Sequence, residues 1–217
     1  GALTAEGDNI FIGSRLTIFE EEDAWNIHFG LLLFTIIAGV DSILGATRRI
    51  VTPEEPIGGV SEWTDDDLSQ VESLLSRFSF CNASSLSLTA EFGLKADAVS
   101  AVAGDHQTAL WRLFADQPHP ELGGGLFCLL ELPHRIEDET KLYHVLNQLN
   151  QMEMAPHDLP PHFGAWCQGG IGDNPAYVTF LPNPLHAASG IAVNMSIWAL
   201  HRAEWADAML ATMGVRA

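Results

Sequence analysis

Positive charge is scarce in this chain. Ten lysines and arginines face 28 acids across 217 residues, a formal net charge of −18. Both halves share the imbalance: residues 1–104 carry 16 acids and 5 bases (−11), and residues 105–217 carry 12 and 5 (−7). Such a surface repels nucleic acid phosphates and anionic lipid heads, so neither is an expected partner. Cysteine is also scarce. Cys81, Cys128 and Cys167 are odd in number and show no paired spacing, which leaves a disulfide framework without support. Cys128 and Cys167 sit in apolar runs where a thiol acts as a small buried hydrophobe, and a reducing cytoplasm is the expected location. The longest uncharged apolar stretch, Phe29 to Val40, falls short of the roughly 20 residues that span a bilayer. The start, Gly1-Ala2-Leu3, shows no basic stretch leading into an apolar one, so a signal peptide is unsupported.

Catalytic signatures are missing as well. Gly123-Gly124-Gly125 lacks the Gly-Lys-Ser/Thr ending of a phosphate loop and leads into a strand, so it reads as a turn. There is no Cys-x-x-Cys and no His-x-x-x-His on a predicted helix. The loop residues His119, Glu121, His157, Asp158 and His162 therefore read as surface or hydrogen-bonded groups rather than zinc ligands. Cys167 has no Lys or Arg near it in sequence to lower its pKa, and reads as structural. No metal, cofactor or catalytic residue is assigned.

What is present is a core: 47% of residues are apolar and only 18% charged. Residues 1–60 form an N-terminal extension. Within it, 9–19 alternate as a half-buried strand, and Glu20-Glu21-Glu22-Asp23 suits the start of a helix over about 24–49. The middle of that helix, Phe29 to Val40, is apolar on every side. It has to be covered by the domain or by a second copy in a homodimer through residues 29–40; a buried strand over 26–33 is the rival reading. An acidic, Pro- and Gly-rich linker follows at 50–63.

Residues 61–217 read as an α+β domain, an antiparallel sheet with helices packed on it in the order α-βββ-α-βββ-α. Helix 65–78 opens in a capping-box-like Thr64…Asp67. Strands are expected at 84–94, 107–115 and 125–132, then a helix at 137–152 striped by Leu142, Val145, Leu146, Leu149 and Met152. Strands 162–168, 176–182 and 190–198 and a helix at 199–213 complete the order. Asn147 and Asn150 are poor helix-interior residues; each is expected either to bond a loop or sheet edge or to face water. His201, Arg202 and Glu204 read as the solvated face of the last helix.

The order helix, three strands, helix, strands, helix, with Leu146-Asn147-Gln148-Leu149-Asn150 late in the central helix, resembles the type III secretion chaperone-like superfamily and its YbjN-type sensory-regulator branch. The resemblance covers roughly residues 64–213. It implies a small acidic non-enzymatic protein, often dimeric, that binds a client polypeptide along its sheet or helices.

The expected function is therefore a cytoplasmic, chaperone- or adaptor-like protein that binds a basic or amphipathic client. The aromatics Trp111, Phe163 and Trp166, beside the polar loop residues His119, Glu121 and Asn183, form the expected partner site, although core packing accounts for the aromatics equally well. Two alternatives stand beside this: an enzyme or small-ligand binder using loops 118–125 and 156–163, and an acidic immunity or inhibitor protein.

Overall fold

Period-two alternation builds the centre of the molecule. In this computed structural model, which describes residues 2–6, 9–13, 29, 33, 59–94, 107–120, 122–155, 160–169, 173–187 and 190–215, six strands form one antiparallel sheet. They are β3 (Phe80–Ser84), β4 (Ser87–Gly93), β5 (Thr108–Phe114), β6 (Gly125–Glu131), β7 (Ala165–Gln168) and β8 (Pro175–Pro182), in the spatial order β3-β4-β5-β6-β8-β7. A separate two-stranded hairpin, β1 (Ala2–Glu6) and β2 (Asn9–Gly13), precedes them, and its β1 lies near the edge strand β7.

Register carries the alternation across the sheet. Leu88 lies opposite Leu113, and Cys128 sits across from both Leu113 and Thr179. Together with Ala90, Phe92, Trp111, Leu130 and Tyr177 they make the buried inner face. Three helices cover it: α1 (Asp65–Leu75), α2 (Glu139–Met154) and α3 (Ile191–Thr212). They bury Leu68, Val71 and Leu75, then Leu142, Val145, Leu146 and Leu149, then Met195, Ala199, Ala203, Ala206 and Leu210 in the same core. Spacings of three and four residues put each set on one stripe. The fold is α+β, with an antiparallel sheet under packed helices.

Helix starts follow the local chemistry. Thr64 and Asp67 close a reciprocal capping box at α1, whose first turn holds Asp65, Asp66 and Asp67 where the helix dipole favours negative charge. Asp138 caps α2 by accepting from the Lys141 N–H at 3.1 Å. Gly190, at φ +78°, turns the chain into α3 through a conformation that suits glycine best.

Two expectations change. The single strand at 84–94 is a hairpin turning at Ser85-Leu86, with Leu86 at φ +52° and its N–H held by Asp65 Oδ1 at 2.6 Å. The expected strand 190–198 is the first half of α3, so the order is α-ββββ-α-ββ-α after the N-terminal hairpin. Helix wins there because Ala192, Met195, Ser196 and Ala199 fall on one buried stripe, and Trp111 Nε1 donates to Ser196 Oγ at 2.9 Å. In the N-terminal extension β2 covers Asn9–Gly13 of the expected strand 9–19, and residues 14–19 lie outside the described residues. Of the apolar run 29–40, only Phe29 and Leu33 lie among the described residues; both are helical, and at 59% and 47% exposure the rest of the chain does not bury them.

Candidate functional site

A buried carboxylate ties the second half of the domain together. Glu153, near the end of α2, accepts through Oε1 from Arg202 Nε at 2.7 Å and from Trp166 Nε1 at 3.0 Å. Its Oε2 meets His162 Nδ1 at 2.5 Å. Arg202, on α3, also donates to the Pro161 carbonyl at 2.9 Å and stacks its guanidinium 4.1 Å from the centre of the Tyr177 ring. The Tyr177 hydroxyl accepts from the backbone N–H of Phe163 and Gly164. Burial works to raise the Glu153 carboxyl, but the Arg202 guanidinium and His162 prevail and hold it at about 2. Burial lowers His162 below the usual imidazole range against the pull of Glu153, and pushes the Tyr177 phenol up to about 12. The cluster is enclosed, and both Glu153 oxygens are engaged by its own side chains. Its chemistry is that of an anchor joining α2, α3, β7 and β8.

Sequence reading missed this cluster, and Arg202 is a correction: it is a core residue, not part of a solvated face. One signal was available. Arg202 is the only base between Lys141 and Arg216, and Ala199, Ala203 and Ala206 surround it at helical spacing.

Both sheet edges are met by helix side chains. At β7, Asn150 on α2 donates from Nδ2 to the Trp166 carbonyl at 2.9 Å and accepts at Oδ1 from the Trp166 N–H at 2.8 Å. This fulfils the sheet-edge reading of Asn150. At β3, Glu72 on α1 accepts from the Ala83 N–H at 3.1 Å.

The outer face of the sheet is different. Phe114, Phe127 and Phe180 stand in register across β5, β6 and β8. Neighbouring rings are 5.1 and 4.7 Å apart, and the His119 ring closes over Phe180 at 4.9 Å. Leu110, Leu129 and Val178 continue the apolar surface, each only half-buried. Arg112 faces the same way, with Nη2 3.6 Å from Glu131 Oε2. Among the described residues, all three helices pack on the inner face.

The expected partner-site residues do not come together. Trp111, Phe163 and Trp166 are buried on the helix side of the sheet, whereas His119 stacks on the outer face. Asn183 faces the chain's own linker, donating from Nδ2 to the Val60 carbonyl at 2.9 Å and accepting at Oδ1 from the Glu62 N–H at 2.9 Å. Glu121 lies outside the described residues, as do His157 and Asp158 of the loop 156–163. Among the described residues, no group of three or more His, Cys, Asp or Glu is placed to hold a metal ion, and no helix is long and apolar enough to cross a membrane. The triple glycine serves the same linker: Ser61 Oγ donates to the Gly125 carbonyl at 2.9 Å, and a Cβ on Gly124 would meet Val60 O at 2.3 Å.

Comparison of the chain with protein-family models, with curated proteins and with solved structures gives no significant match.

Proposed function

We propose that this protein holds another polypeptide without catalysis, in the manner of a chaperone or adaptor, and that its client is basic or amphipathic. One observation carries the reading. Among the described residues, α1, α2 and α3 pack on the inner face, and the outer face carries half-buried Phe114, Phe127, Phe180, Leu129 and Val178 on a chain of net charge −18. Apolar surface of this kind, gathered in one place and rimmed by polar groups, is what protein interfaces use. The overall charge steers cationic segments toward it and weakens with salt. The resemblance to the type III secretion chaperone-like superfamily points the same way.

The test is suppression of aggregation. Lysozyme unfolded by reduction is a basic client whose precipitation is followed by light scattering. Suppression at near-equimolar protein, reversed by salt, is the expected result. Unchanged scattering at a large molar excess of the protein would overturn the proposal.

A further inference from the structure

We infer that the client docks as an amphipathic helix laid across β5, β6 and β8 on the outer face, and does not add a strand to the sheet. This rests on the protein-binding reading above and specifies its mode.

Strand addition needs free backbone groups along an edge. At β7, the N–H and C=O of Trp166 are both taken by Asn150, and the strand is only four residues long. At β3, the Ala83 N–H is taken by Glu72. An incoming strand would have to displace these side chains, and the Asn150 bonds are buried.

The outer face has the opposite character. From β5 to β8 is two strand spacings, about 10 Å, close to the roughly 10–12 Å diameter of a helix with its side chains. The row Phe114–Phe127–Phe180 offers rings across that width, and His119 walls one end of it. The Leu122 N–H donates to His119 Nδ1 at 3.2 Å, which fixes the wall's orientation. Charge on the rim decides the partner's flanks. Glu91 and Asp116 are exposed beside the apolar surface, while Arg112, the base facing outward there, is already paired with Glu131. A helix with an apolar stripe flanked by Lys or Arg complements this surface; one flanked by Glu does not.

Three fluorescent peptides separate the modes by anisotropy titration: an 18-residue Leu/Lys amphipathic helix, the same composition interrupted by two prolines, and a Leu/Glu helix. The Leu/Lys helix should bind best. Phe127→Ala with Phe180→Ala should weaken it about tenfold, the scale of losing a central aromatic anchor. The exposed pair Glu91→Lys and Asp116→Lys, which cannot disturb the core, should weaken the basic helix and favour the acidic one. Asn150→Ala should leave affinity unchanged. If the proline-interrupted peptide binds at least as well, and responds to Asn150→Ala but not to the outer-face changes, helix docking is overturned while protein binding stands. If none of the peptides binds, both readings fall.

Discussion

Asn150 and Trp166 are paired as two strand residues would be, although one of them belongs to a helix. The amide of Asn150 donates to the Trp166 carbonyl at 2.9 Å and accepts from its N–H at 2.8 Å, completing the edge of β7 from within the domain. Sheet edges invite pairing with other chains, and covering them is how folded proteins limit that hazard.

Asn150→Leu keeps the size but removes both bonds, leaving two buried backbone groups unpaired. The expected cost is about 3 kcal/mol, since each orphaned buried group costs roughly 1–3 kcal/mol. Urea titration should show a lower midpoint at unchanged slope. Sedimentation at rising protein concentration should reveal association beyond that of the parent chain. A midpoint within error of the parent's would show that the pairing carries no stability.

The sheet was legible as short apolar runs bounded by turn residues rather than as clean alternation. Strands are expected near 107–115, 125–132 and 176–182, and β5, β6 and β8 fall within one residue of those bounds. The helix α3 was partly misread because Ile191, Val193, Met195 and Ile197 alternate by chance while Ala192, Ser196 and Ala199 supply a helical stripe of small residues. Where polarity contrasts little around a helix, the two periods cannot be told apart. The turn at Ser85-Leu86 carries no Gly or Asn; its positive φ accompanies a bond from the Leu86 N–H to the carboxylate of Asp65, 21 residues away. The Glu153 cluster was hidden for a similar reason: Glu153 and Arg202 lie 49 residues apart, and only the fold brings them together.

A double-mutant cycle tests the Glu153–Arg202 pair. Arg202→Met removes the cation and strands a buried carboxylate, which typically costs about 3–5 kcal/mol. Glu153→Gln with Arg202→Met removes both charges, and part of the loss should return. Chemical denaturation of the four proteins measures the coupling. Simple additivity would mean that the pair is energetically independent despite its 2.7 Å contact.

Stability should fall on both sides of neutrality. His162 and His134 are lowered, chiefly by burial, so the unfolded chain takes their protons first. Their contribution is present above the unfolded value of about 6.5 and is lost as pH drops below it. Asp207, raised by burial beside His134, opposes this in part. Glu153 is depressed; its share is present above about 4.3 and is lost as pH falls toward about 2. Tyr177 is raised to about 12, so its share is present below about 10 and is lost as pH climbs through 12. Thermal melts against pH should show these limbs, and His162→Gln should flatten the one beginning near 6.5. Identical slopes there in parent and variant would remove His162 from the account.

The linker strap offers the last test. Val60 and Glu62 are held end to end by one amide, Asn183, while the bare backbone of Gly124 lets the Val60 carbonyl come close. A methyl group on Gly124 would meet Val60 O at 2.3 Å and its carbonyl carbon at 2.6 Å, against backbone that cannot rotate away. Gly124→Ala must therefore lift the strap. Asn183→Ala loosens it more gently by removing two exposed bonds, worth about 1 kcal/mol each at most. Glu62 is exposed in the strap, so a glutamate-specific protease reads the change directly. Cleavage after Glu62 should be fastest in Gly124→Ala, intermediate in Asn183→Ala and slowest in the parent. The buried Trp63 should keep the domain folded in all three, because its anchoring lies beyond the strap, beside His186 at 5.1 Å. Equal cleavage rates would show that the segment is held by Trp63 alone, and that the triple glycine has some other use.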